Sequence, residues 1–220
     1  MEETRARPGW KQVPMPSAVA GLPRDGRGYP VGWATLWEPR DSPGRSSVIR
    51  SPEEGAVLWC YCVTGTGTPL LGQVCPRRQR TAMARRRCQL CGTAIDRDMK
   101  VLFIAGRSEG KAAQLVPEPP LHAACAAYAA RVCPRLVVGD RAGALHVTEA
   151  SSYELFEERV RPSGPDPEAD MLREVFPLGS RSALRFGALE NLLASPAGTW
   201  VPFAAWFAGL PPSGSSGSPF

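Results

Sequence analysis

Two short stretches decide how this chain folds: Cys88-Gln-Leu-Cys91-Gly92 and His122-Ala-Ala-Cys125. The first sets two thiols on either side of a two-residue turn, with a glycine where a positive φ is needed. The second stands where the text changes character. Pro117-Glu-Pro-Pro120 breaks the chain, and the Ala-rich run after it predicts a helix over residues 121–133, ended by Pro134. Positions i and i+3 share one side of a helix, so His122 and Cys125 can face a single ion. The helix N-terminus also favours thiolate at Cys125. Three sulfurs and one imidazole suit tetrahedral zinc, with Zn–S near ~2.3 Å and Zn–N near ~2.0–2.1 Å. We therefore expect one structural zinc ion held by Cys88, Cys91, His122 and Cys125. With 7 Cys and 2 His in 220 residues, chance is a poor explanation for two such half-sites.

The order of parts is a Cys-x-x-Cys knuckle, a strand and loops long enough for a hairpin, then two ligands from a helix start. Over residues 86–133 this resembles the treble-clef zinc finger, with His-x-x-Cys as a less common second half. The wider text is similar to an uncharacterised family of actinobacterial, partly phage-associated proteins. The resembling words are Val57-Leu-Trp59, Arg78-Gln-Arg80-x-Ala82-Met83, Arg87-Cys-Gln-Leu-Cys-Gly92 and Pro120-Leu-His-x-x-Cys-Ala-x-Tyr-x-x-Arg-x-Cys-Pro134. That resemblance covers residues 30–148, supports the same four ligands, and implies no reaction.

Outward from the knuckle, the expected fold class is α+β: a small zinc-bound treble-clef-like domain with short strands and a helix, plus a helical, acidic C-terminal region. Residues 1–30 are rich in Pro, Gly and Arg and read as a disordered arm. A zinc-binding domain is expected over 31–148, with short strands at 31–37, 47–50 and 56–63. Residues 64–69 read as a loop, which lacks the Lys-Ser/Thr ending of a phosphate loop. A short helix is expected over 77–87 and a strand over 100–105. Two short strands turning at Gly139-Asp140 are expected over 136–147. The region 149–210 is read as helical, with helices at 152–160, 168–176 and 181–194, the last from Leu184, Leu189, Leu192 and Leu193. Residues 211–220 read as a flexible tail.

Net charge is +5, distributed as +9 over residues 1–147 and −4 over 148–220. Arginine supplies 23 of the 26 basic residues, which together with abundant Ala, Gly and Pro reflects a GC-rich coding bias more than selection for phosphate contacts. Six arginines fall within residues 77–87: Arg77, Arg78, Arg80, Arg85, Arg86 and Arg87. Lying directly before the knuckle, they are the candidate DNA or RNA contacts, against the plainer reading of a solvated basic face. No apolar run reaches the ~20 residues of a membrane helix. No secretory signal opens the chain, so a cytoplasmic location without membrane contact is expected, where clustered cysteines read as metal ligands before disulfides.

Cys60 and Cys62 alternate toward one side, and with Cys75 they could make a second metal site. No fourth ligand is obvious, and apolar neighbours suggest core packing. Cys133 reads as a buried side chain at a helix end, and His146 as a structural histidine. Trp200, Phe203, Trp206, Phe207 and Leu210 recur at helical spacing, a face that docks on the body or on a partner protein.

The leading functional expectation is a non-enzymatic zinc-stabilised binding module, since four protein ligands leave zinc no open position. An HNH-type nuclease needs a histidine base in the hairpin, and residues 92–121 contain none. A zinc deaminase needs a Pro-Cys-x-x-Cys and a His-x-Glu that are also missing. A protein–protein adaptor using residues 200–210 is the remaining alternative.

Overall fold

The computed structural model describes residues 10–39, 47–51, 55–106, 115–141, 143–162, 171–177 and 188–211. After a 3-10 turn at Trp10–Gln12 come α1 (Ser17–Ala20), β1 (Thr35–Glu38), β2 (Ser47–Ser51), β3 (Gly55–Trp59), β4 (Thr68–Val74), α2 (Pro76–Ala84) and β5 (Val101–Gly106). The chain continues with α3 (Ala123–Val132), α4 (Pro134–Arg141), β6 (Leu145–Ala150), β7 (Tyr153–Pro162), β8 (Met171–Pro177), β9 (Ala188–Pro196), β10 (Trp200–Pro202) and α5 (Phe203–Ala208). These form three sheets, ordered β1-β4, β10-β6-β5 and β2-β3-β9-β7-β8. All neighbouring strands are antiparallel except β3 and β9. The α+β expectation therefore holds in its coarse form. No helix among the described residues is long and apolar enough to cross a membrane.

The helical reading of the C-terminal region is overturned. Residues 153–162, 171–177 and 188–196 are strands, and β7 lies between β8 and β9, with an unbroken ladder to β8 and a register shift between Glu158 and Arg159 in the ladder to β9. The reason is visible in β9. Leu192, Leu193 and Ala194 are buried in succession, so both faces of the strand are covered. Covering both faces erases the alternation that marks a half-exposed strand and leaves leucines whose spacing imitates a helix. The cover on one side includes α2, where Gln79 Nε2 donates to the carbonyls of Leu192 and Pro117.

Three further expectations change. Residues 134–141 form α4 instead of a strand, because Pro134 pre-sets the first helical φ. Gly139 is a packing residue there, since a Cβ would lie 2.8 Å from the Leu145 side chain. The arm expected over 1–30 is part of the body from residue 10 onward, with Val13 and Val19 buried in the main core. The boundary at 148/149 cuts through β6, and Leu192, Ala194 and Phe203 share one core with Cys88, Cys91 and Cys125. Residues 212–220 lie outside the described chain.

That main core centres on β5, whose Val101 to Ala105 are buried without a break. Phe103 meets Tyr153 edge-to-face at 5.3 Å, and the Tyr153 hydroxyl donates to Met83 O at 2.7 Å, tying α2, β5 and β7 together. Leu102 and Leu121 exchange both backbone hydrogen bonds, at 2.9 and 2.8 Å. This pair fixes the start of α3 against β5, and the small residues Ala126 and Ala130, fully buried, let the helix approach closely. A smaller core holds Val31, Trp37, Cys60, Cys62 and Cys75 beside the β1-β4 ribbon.

Candidate metal centres

The knuckle is built by backbone hydrogen bonds. Cys88 N donates to Thr93 O at 2.9 Å, and Gly92 N donates to Cys88 O at 2.8 Å. These two amides close the turn and do not serve the sulfurs. Gly92 has φ +78°, as the sequence requires, and a Cβ there would lie 2.5 Å from the Trp33 ring. The loop is fixed from outside as well: Trp33 N and Ala34 N donate to Leu90 O and Gln89 O, and Gln89 N donates to Pro120 O. The last of these ties the knuckle directly to the segment that opens α3. Gly92→Ala is expected to cost about 1–3 kcal/mol from backbone strain alone, plus the contact with Trp33. Its measurable result is faster loss of a bound metal to a competing chelator than in the parent chain; equal rates would contradict this role for Gly92.

Cys88, Cys91, His122 and Cys125 converge. One ligand atom from each lies within 4.8 Å of all the others, and the three sulfurs are buried. His122 caps α3, so its carbonyl accepts the first helical hydrogen bond, from Ala126 N. Its ring is oriented at both nitrogens. Nδ1 lies 3.4 Å from Cys91 Sγ, and Nε2 lies 3.1 Å from Ala94 O. A carbonyl can only accept, so Nε2 carries a hydrogen, and Nδ1 is the nitrogen that would face a metal. This is the outer partner expected of a metal-ligating histidine. A tetrahedral zinc would separate such a nitrogen and sulfur by about 3.6 Å, close to the distance present.

The electrostatics fit a set of groups that exchange protons for a cation. Cys91 is held well below the usual thiol range, chiefly by hydrogen bonds with Cys125 and Cys88, with His122 and the Thr93 hydroxyl at 3.1 Å contributing. His122 is pushed up to about 10 by hydrogen bonds with Cys88 and Cys91. Hydrogen bonds with the same two sulfurs push Cys125 up. A bound metal displaces these protons, so its affinity falls as pH falls.

No protein-family model, curated protein or solved structure matches this chain. The chemistry therefore has to be read from the geometry alone.

A second group, Cys60, Cys62 and Cys75, also has ligand atoms within 4.8 Å of one another. Two cysteine clusters could thus hold a metal ion. The core packing expected of these three is correct as to burial, at 2 %, 4 % and 0 % exposure, but they also meet.

The arginine run is divided between these centres. Arg78 is only 4 % exposed. It donates from Nη2 to Thr35 O at 2.6 Å and to Cys62 Sγ at 3.0 Å, and from Nη1 to Cys62 O at 3.3 Å. Arg77 Nη2 also reaches Cys62 O, at 3.2 Å. Arg87 Nη1 donates to Gly92 O at 2.9 Å, inside the knuckle. Arg86, in the left-handed region at φ 47°, spans to Ser151 O and Met99 O. Arg80 is half-buried, and Arg85 alone of the six is exposed. Composition cannot reveal this, because an arginine that braces backbone carbonyls has the same letter as one that meets phosphate.

His146 sits in β6 opposite Ala105 and Pro202, away from the knuckle in sequence and sheet register. Cys133 caps the C-terminal end of α3 and is half-buried. Of the aromatic segment 200–210, Trp200 is in β10 and the rest forms α5 and its exit. Phe203 is buried, and Trp206, Phe207 and Leu210 pack on the main core. Arg131 lies over the Phe207 ring at 5.9 Å. The face expected to meet the body or a partner is thus occupied by the body. Sequence reading missed Ala94, whose contribution is a carbonyl that any residue could supply, and the inward role of Arg78, which it placed among the nucleic-acid contacts.

Proposed function

We propose that this chain is a non-enzymatic, zinc-stabilised binding module. In it, zinc joins the knuckle to α3 in a treble-clef-like arrangement. The observation that carries this reading is closure: four protein ligand atoms lie within 4.8 Å of one another around one point. Four protein ligands complete zinc's tetrahedron and leave no position for a reacting water. The metal then contributes folding free energy, not chemistry.

The partner we favour is nucleic acid. The support is the +9 net charge of residues 1–147 and the exposed Arg85, Arg97 and Lys100 on either side of the knuckle. With most of the arginine run turned inward, the contact would involve few phosphates. The expected result is weak duplex or RNA binding, with log K falling by about 0.9 per log unit of salt for each phosphate neutralised. Arg85→Ala should reduce that slope by about 1. Binding indifferent to salt, or none at 50 mM salt, would remove nucleic acid as the partner and leave the zinc module. An HNH-like nuclease is the reading from another class; plasmid cleavage that survives Cys88→Ser would favour it.

A further inference from the structure

We propose that Cys60, Cys62 and Cys75 form a second metal site, a three-thiolate centre for zinc with Arg78 as its charge partner. The competing description is three neutral thiols packed in a small apolar core. Two observations go against it.

The first concerns hydrogen-bond direction. Besides contacts among the three cysteines themselves, two nitrogen donors are aimed at their sulfurs: Arg78 Nη2 at Cys62 Sγ, 3.0 Å, and Cys62 N at Cys60 Sγ, 3.2 Å. Donors aimed at sulfur suit a thiolate, which accepts, and hydrogen bonding of this kind around bound ligands is what tunes and orients them. Cys75 adds a further electropositive neighbour, because it is the N-cap of the nine-residue α2 and lies at the positive end of that helix.

The second concerns charge. Arg78 reaches this core at Cys62, and among the described residues its hydrogen-bond partners are two backbone carbonyls and the Cys62 sulfur, with no carboxylate. A buried guanidinium without a counter-ion is costly. Three thiolates around a divalent cation carry a net charge of −1, which the guanidinium of Arg78 on the Cys62 sulfur faces, with Arg77 also reaching Cys62 O. Thiolate ligands suit zinc, and the zinc count below tests that choice of metal. Sulfurs around zinc lie about 3.8 Å apart, so sulfurs already within 4.8 Å need only a small contraction. Binding releases one proton from each thiol not yet ionised, with no redox change.

The placement gives the site a structural consequence. Cys75 immediately precedes α2 and Cys88 follows it by four residues. The helix is therefore pinned at both ends by metal centres, with Arg78 turned toward one and Arg87 braced in the other.

The test is a zinc count on the full chain, purified under reducing conditions and reloaded with zinc. Two ions per chain are expected. One should remain in Cys60→Ser/Cys75→Ser, and one in His122→Ala/Cys125→Ser, so loss of either centre is read separately. Should a double variant fail to fold, native alkylation of the parent chain replaces it. Cys60, Cys62 and Cys75 should resist iodoacetamide until chelator is added and then become labelled together. Arg78→Gln should speed zinc loss from this site about 10–100-fold while the other is retained. A single zinc per parent chain would overturn the proposal. So would a disulfide between any two of the three cysteines, or their alkylation at the same rate with and without chelator.

Discussion

For the proposed zinc-held centre, removing the metal at neutral pH is expected to unfold the region around residues 86–133 and to weaken the sheets that share its core. The size of the effect follows from a comparison of magnitudes. A structural zinc site contributes about 10–16 kcal/mol at pH 7. Whole domains are stable by only about 5–15 kcal/mol. Here the metal ligands Cys88, Cys91 and Cys125 belong to the main core itself, alongside Phe103, Val147 and Leu192. Without a cation, hydrogen bonds among the four groups lower Cys91 and raise His122, so the cluster favours a thiolate beside an imidazolium. Near-ultraviolet circular dichroism should lose the Tyr153 and Trp signals on chelation, and they should return when zinc is restored. Lowering the pH should produce the same loss, because protons compete with the metal for the same sulfurs. A spectrum unchanged by chelator would mean that the core stands without the ion.

The second large effect is expected at Arg78. Its replacement by Met keeps the length of the stem and removes the guanidinium. That leaves the carbonyls of Thr35 and Cys62 and the Cys62 sulfur without this donor in a buried setting. Breaking a buried charged network from one side costs about 3–5 kcal/mol. In urea this would appear as a midpoint lowered by about 1–3 M for a typical slope. The same variant separates two views of the arginine run. A nucleic-acid contact at this position predicts normal stability and weaker binding. The inward geometry predicts the reverse.

The convergence of Cys88, Cys91, His122 and Cys125 was legible in the sequence because metal-ligand chemistry restricts such a cluster to particular residue types. Cys, His, a turn glycine and a proline-bounded helix cannot easily be replaced, and their spacing survives in one dimension. The positive φ at Gly92 and the helix after Pro120 followed from the same local rules. The C-terminal strands were not legible, because β7 and β9 take their identity from each other. The pairing of Leu155 with Ala194, and of Glu157 with Leu192, joins residues more than thirty positions apart. Nothing within an eleven-residue window records that. β4 was hidden for a similar reason: its partner β1 lies more than thirty residues upstream and the ladder is interrupted by a bulge. The arginine run was visible and its role was not. Whether Arg77, Arg78, Arg86 and Arg87 face solvent or carbonyls depends on which turn lies opposite, and the turns at 62, 92 and 99 are set by tertiary structure.

With only two histidines in the chain, His122 can be observed directly. Long-range nitrogen–proton correlation on the zinc-loaded protein reads which ring nitrogen carries the proton and whether the other is bound to metal. We predict a fixed Nε2–H tautomer, donating to Ala94 O, with Nδ1 shifted by the metal and no titration between pH 6 and 8. Chelator should abolish that signature. A His122 ring that titrates freely in the zinc-loaded protein, and whose spectrum ignores the chelator, would contradict the four-ligand centre.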